Sequence, residues 1–399
     1  MLPDGSLVNF AFPNDTHIVW SLMIVIYPYI TGLVAGAFVV SAFYHVFRIR
    51  EFASIAHMAL VAAFCFGLFA ALPLLIHLSQ PQRAFNIFFT PHLSSAMSIF
   101  GYVYAGYMVL LIVELWLTYR PHFVEKARTT TGIQCAIYRA LMLGASCDTA
   151  ASRRIDANLV RFLAAVGIPW ACLLHGYVGF IFGSVKANAW WATPLQPLIF
   201  LMSAIVSGMA MLMLMYTVII WYRKQSFDYV MIRKMAAYMW GFFIIDFTLE
   251  MLEVLYAAYE NGHHWQVIKP LLSGPLFYPW VVGQVLILSV VPLFVLGIPV
   301  IFRVRDRVVL YLVNFAALLL VLQVLLMRFN VVVGGQMISK SSRGFVEYHF
   351  ELLGKEGLLV AGILLTAPFV VYAIISALVP VLATPDKAAE RREESPVAP

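Results

Sequence analysis

Apolar residues run along this chain in nine long blocks, and short stretches between them hold most of the charge. The blocks span about 20–45, 53–77, 93–118, 158–182, 195–221, 235–259, 277–302, 308–328 and 357–383. About 20 apolar residues, rising 1.5 Å each along a helix, cover the hydrocarbon core of a bilayer. The pattern predicts an all-α polytopic membrane bundle of about nine transmembrane helices, within a range of eight to ten. The stretch 133–143 is apolar but too short to span, so it is expected at the membrane surface. Residues 1–19 read as an outer N-terminal segment, 20–383 as the transmembrane domain and 384–399 as a disordered, charged tail. No cleavable signal peptide is expected, because the first sixteen residues are polar and lack a basic opening.

Composition sharpens this. Hydrophobic residues make up 62% of the chain and charged ones 12%, against about 45–50% and 25% in soluble domains. A soluble enzyme, a disordered chain and a nucleic-acid-binding domain are excluded. The net charge of +6 could suggest an anionic partner. Alternating the loops across the membrane instead puts 19 of the 26 Lys and Arg on one side. By the positive-inside rule that side is cytoplasmic, with the N-terminus outside and the C-terminus inside. No soluble domain of any size is evident, so partners must supply any soluble chemistry.

The few ionisable groups inside the apolar blocks are candidates for function. Asp246, Glu250 and Glu253 share one block, and spacings of four and three put them on one helical face. Such a file can pass protons along the helix axis, or it can pair with arginine at a helix contact. Glu114 lies near the cytoplasmic end of the third block, where it either extends a proton path or snorkels to the interface. Gln284, Asn314 and Gln323 are expected in interhelical hydrogen bonds. His175 sits inside the fourth block, as a hydrogen-bonded core residue or a ligand and proton carrier. His77 lies at a similar outer depth, and the pair could ligate a b-type haem. His45 and His57 offer only a weak second pair. The four cysteines form no CxxC, and neither a haem nor an iron–sulfur cluster is expected in this chain, nor a metal site. Gly32 with Gly36, and Ser203 with Ser207 and Gly208, favour close helix approach. Trp190, Trp191 and Trp280 read as interfacial belt residues. Met209, Met211, Met213 and Met215 read as lipid-facing or packing.

Several stretches together resemble one family. HLSQPQRAFNIFFTPHLSSAMS carries Pro81, Arg83, Asn86, Ser94, Ser95, Met97 and Ser98. YPYITGLVAGAF, TPLQPLIFLMSAIVSGMA and RFNVVVGGQ match further parts of the same pattern. This resembles the NrfD/PsrC family, the membrane subunits of polysulfide-reductase-like complexes. The resemblance implies a subunit that exchanges electrons between membrane quinone, such as menaquinone, and an iron–sulfur subunit docked outside. That partner in turn serves a molybdopterin enzyme, a hydrogenase or a multihaem cytochrome. It implies a bacterial or archaeal cell membrane and a quinone site near the outer surface. Asn14 and His17 fall where the family places its Asn and His, and Tyr177 where it places its Tyr. Val178 replaces the Thr of the family's pattern, and His175 is an addition. Asp246, Glu250 and Glu253 resemble the acidic helix through which some members of the family are proposed to conduct protons, and Arg83 and Asn86 mark the loop expected to face the partner. Two other classes fit part of the pattern. A secondary transporter would explain the intramembrane carboxylates, and a cytochrome b-like oxidoreductase would explain the histidines.

Overall fold

A computed structural model describes residues 17–92, 94–338 and 344–382. Asn14 and the tail from 384 lie outside the described residues. Among the described residues the regular elements are helical, and the β pairing is one isolated bridge between Ile338 and Phe345. Nine long helices among them follow the apolar blocks. They are α1 (Leu22–His45), α2 (Ala56–His77), α3 (Ala96–Thr129), α4 (Ala150–Gly183), α5 (Gln196–Arg223), α6 (Tyr229–Glu260), α7 (Phe277–Ile301), α8 (Asp306–Val332) and α9 (Leu358–Leu378). Eight of them are long and apolar enough to cross a membrane; α6, 32 residues long, stands apart from that set and carries the three carboxylates.

Local chemistry sets several boundaries. Ser21 caps α1 by accepting from the Met23 amide, and Thr149 and Ser152 form a reciprocal capping box at the start of α4. Asp228 accepts from the Met231 amide at 3.1 Å and opens α6. Lys224 and Asn261 take left-handed conformations that end α5 and α6.

Helix α1 is the core of the bundle. Every residue from Met23 to Phe43 is buried, and the helix packs on α2, α4, α5 and α8. In a bilayer the lipid is as apolar as the side chains, so close packing rather than water exclusion holds helices together. The α1–α5 contact illustrates this. A Cβ on Gly36 would lie 2.2 Å from the Ala204 carbonyl oxygen, and one on Gly208 would lie 2.5 Å from the Gly36 Cα. The small residues of both helices therefore let the backbones touch, as their spacing predicts. The four methionines of α5 pack into this core. Outward faces are apolar and exposed, as with Val109, Phe162 and Ile363, which suits contact with acyl chains.

Four helices depart from the expected pattern. Helix α7 opens as a 14-residue π-helix, Phe277–Val290, before becoming α-helical. Helices α3 and α4, at 34 residues each, reach about 51 Å by their rise and overhang the hydrocarbon core. The short helix Gly132–Leu141 packs beside this overhang, held by Trp116 Nε1 donating to the Leu141 carbonyl and Tyr138 Oη donating to the Leu378 carbonyl. Finally, α8 does not stop at Arg328 but continues to Val332. Arg328, the last residue of its apolar block, is therefore not at the end of the helix. It lies inside the helix and is fully buried, because the apolar run of Val331, Val332 and Val333 resumes beyond it.

Candidate functional site

Arg328 organises the interior. Its Nη2 donates to Ser203 Oγ at 2.6 Å and to the Phe200 carbonyl at 3.2 Å, and it meets His175 Nε2 at 3.1 Å. The guanidinium also stacks 3.7 Å from the centre of the Phe200 ring. A guanidinium only donates, so Nε2 of His175 accepts and the ring proton sits on Nδ1. Gly32 makes room for that ring, since a Cβ there would lie 3.1 Å from His175 Cε1. No direct ion pair joins this buried cation to Asp246 or Glu250 on α6 among the described residues.

Glu250 is held by amides from two helices. Gln284 Nε2 donates to Oε2 at 3.1 Å, and Gln323 Nε2 approaches Oε1 at 3.4 Å. Asn330 Nδ2 donates to Gln284 Oε1 at 2.8 Å and fixes that amide's orientation. The π-helical stretch of α7 carries Gln284 and also accepts from Asn330 through the Pro279 carbonyl. Local π geometry often marks functional positions, and here it presents a glutamine to a carboxylate on the neighbouring helix. Asp246, four residues deeper, is buried, and neither of its oxygens has a hydrogen-bond partner among the described residues.

A cavity of about 570 Å³ leads to Glu250. Its walls come from the α4–α5 connection, the ends of α6 and α8 and the start of α7, with Trp190, Trp280, Glu253, Gln284 and Asn330 among them. These elements meet at the end of the bundle opposite the Arg-rich loops. A mainly apolar cavity of this size with a few convergent polar groups is the usual form of a small-molecule site.

The structure brings together only some of the residues singled out from sequence. Asp246, Glu250 and Glu253 do share one face of α6, with Glu250 and Glu253 at the cavity. His175 is bound to Arg328 and not to these carboxylates. Tyr177, two residues on, turns to another face of α4 and packs against Phe180 at 5.3 Å. His17 is exposed, just ahead of α1. Asn14 lies outside the described residues. Glu114 neither snorkels nor joins the file: α3 runs on to Thr129, so Glu114 is mid-helix and fully buried. Helix α3 packs on α2 and α4, whereas α6 packs on α5, α7 and α8. Arg83 and Asn86 lie on the surface loop after α2, beside exposed Phe85, Phe88 and Phe89.

Of the histidines of the haem alternative, His45 and His57 stack with ring centres 5.9 Å apart, whereas His77 and His175 are each turned to other partners. His77 Nδ1 meets Glu356 Oε2 at 3.0 Å, and Ser21 Oγ donates to the same oxygen, while His175 is turned to Arg328. Among the described residues no group of three or more His, Cys, Asp and Glu is placed to hold a metal ion. Trp191 is not a belt residue. It is buried, stacks on Trp20 at 4.9 Å and donates through Nε1 to the Val331 carbonyl.

Sequence reasoning missed Arg328, Ser203 and Asn330 as members of the site. A signal existed for the first. Three carboxyls on one buried face need a cation at membrane depth, and Arg328 sits between a long apolar run and the valines that follow it.

The fold and this network define a multi-pass helical membrane protein with ionisable groups in its interior. The family model described as "Polysulphide reductase, NrfD" matches residues 12–340, and the chain belongs to that family. It is 31% identical over 286 residues to the C subunit of the selenate reductase of Mesobacillus selenatarsenatis, covering 70% of this chain and 66% of that protein, just under two thirds. It is 23% identical over 330 residues to the Hdr-like menaquinol oxidoreductase integral membrane subunit of Archaeoglobus fulgidus, covering 81% and 72%.

Proposed function

We propose that this chain is the quinone-reactive membrane subunit of a respiratory complex in a bacterial or archaeal cell membrane. It oxidises or reduces a quinone of the menaquinone class near the outer face. It exchanges electrons with an iron–sulfur subunit docked on the loop of Arg83 and Asn86, and a molybdopterin enzyme or multihaem cytochrome lies beyond that partner. The relatives' names support the redox setting. One is a subunit of a reductase and another of a menaquinol oxidoreductase.

The observation that carries the reading is the polar file itself. Quinone chemistry moves two protons with two electrons, and protons need titratable groups at membrane depth. Glu253 and Glu250 line the cavity, Glu250 is bridged to Gln284 and Asn330, and Asp246 lies buried one helical turn further in. Glu250 and Glu253 then accept or supply protons at the cavity, and Asp246 with the Arg328–His175 pair extends the path inward. A carboxyl works as proton carrier when it lies within reach of the exchanging group. Asn14, His17 and Tyr177 contact the quinone headgroup from the outer end, and His175 ties that end to the proton file through Arg328.

The test uses the complex purified with its native partners. An iron–sulfur protein co-purifies with this chain. Tyr177→Phe and His17→Ala each lower quinone turnover several-fold without loss of assembly. Wild-type turnover in both variants removes these residues from the headgroup site, and the absence of any iron–sulfur partner overturns the electron-transfer role.

A further inference from the structure

We infer that the Arg-rich end of the bundle holds an anionic phospholipid, whose phosphate sits in a preformed cavity between α1, α2, α3 and α4. The cavity has a volume of about 350 Å³ and lies at the other end of the molecule from the acidic one. Arg48, Arg50, Arg153 and Arg161 line it, with His57 and the single carboxylate Asp156.

That carboxylate is already engaged. Arg120 Nε donates to Asp156 Oδ2 at 2.8 Å, and its Nη2 binds the same oxygen. Both groups are buried, and Arg120 is fixed further by the Cys147 carbonyl at 2.7 Å. Arg153 grips Asp148 through two 2.7 Å bonds. Nearby Glu51 faces Lys234 at 3.4 Å. Arg48 and Arg161 form no ion pair among the described residues, so the cavity keeps a positive excess after its carboxylates are matched. Arg48 adopts φ 55, a left-handed conformation that costs a non-glycine residue about 1–2 kcal/mol. The turn it makes brings both Arg48 and Arg50 to the cavity wall. Guanidinium groups suit phosphate oxygens through paired N–H donors.

A free phosphate and a lipid headgroup share this chemistry, and the surroundings favour the lipid. Helix α1 ends at His45 beside the cavity, at headgroup depth for a helix that just spans the hydrocarbon. On α4, Leu159 and Phe162 flank Arg161 in sequence and are exposed, offering a surface for acyl chains next to the guanidinium. Basic pockets between transmembrane helices recognise such headgroups.

The experiment is native mass spectrometry and thermal melting of the full-length protein in neutral detergent. The probes are dioleoyl-phosphatidylglycerol, dioleoyl-phosphatidylcholine and inorganic phosphate. Phosphatidylglycerol adducts persist and raise the melting temperature, phosphatidylcholine adducts do not, and millimolar phosphate leaves the melt unchanged. Arg48→Gln with Arg161→Gln weakens phosphatidylglycerol binding about tenfold or more, as expected for loss of two charge-assisted contacts. Arg303→Gln with Arg307→Gln, exposed on the same end outside the cavity, leaves it unchanged. Equal retention of the two lipids by the unaltered protein overturns the inference. So does equal weakening in the two double variants. Protection by inorganic phosphate alone overturns the lipid assignment in favour of a free anion.

Discussion

The two cavities lie at opposite ends of the bundle and carry opposite charge. One, among α5 to α8, is lined by Glu250 and Glu253; the other, among α1 to α4, is lined by four arginines. In the acidic cavity Glu250 is met by neutral amides, and the buried cation Arg328 lies outside the cavity lining. In the basic cavity Asp156 is locked in a direct ion pair and positive charge is left over. Amides hold a carboxyl in place without fixing its proton, while a close guanidinium fixes the charge. The difference separates a region fit for proton exchange from one fit for holding an anion.

Removing the shared cation should break the comparison most completely. Arg328→Met strips Ser203, the Phe200 carbonyl and His175 of their charged donor, and losing a buried hydrogen bond to a charged group costs about 1.5–3 kcal/mol. Little folded protein should be recovered in detergent, as judged by size-exclusion chromatography. Recovery and melting like wild type would mean that Arg328 does not organise the interior.

Gln284→Leu acts more locally. It leaves Glu250 Oε2 and Asn330 Nδ2 without their bond at a cost of about 1–3 kcal/mol. Quinone turnover by the assembled complex should fall about tenfold, and anionic lipid binding at the far end should not change. Lipid binding that falls in step with turnover would show the two ends to be coupled.

Arg48→Gln with Arg161→Gln gives the complementary result, with turnover within about twofold of wild type while lipid retention drops. A turnover loss as large as that of Gln284→Leu would place the basic cavity in the proton path.

The smallest effect concerns pH at the start of α4. The hydrogen-bonded Arg153 guanidinium holds Asp148 below the usual carboxylate range. The pair therefore stabilises the native state fully above about pH 4, and that support fades as pH falls through the depressed native value. The melting temperature of Asp148→Asn should lie slightly below wild type at pH 6, and the gap should close under strong acid. A constant gap would assign it to the α4 capping geometry instead.

Much of this was legible in the sequence. Nine apolar blocks became nine long helices, and the spacing of Asp246, Glu250 and Glu253 set them on one face as expected. The glycines of α1 and α5 foretold the backbone contact at Gly36 and Gly208. What the sequence concealed was tertiary pairing. Nothing local to Arg328 announces that Ser203 and His175 converge on it. The amides of Gln284, Gln323 and Asn330 come from two helices and meet only through packing. Glu114 misled because its helix outruns the bilayer, so a position near the end of an apolar block is in the middle of the helix. Tyr177 and His175 are neighbours in sequence, yet helical geometry turns them apart.

Glu250→Gln tests the central claim most directly. The substitution keeps the shape of the side chain and removes its titratable proton. In the complex purified with its partners, quinone turnover should fall at least about tenfold with assembly, melting temperature and phosphatidylglycerol retention unchanged. Wild-type turnover with undiminished proton uptake or release would contradict the account and leave the α6 carboxylates as packing.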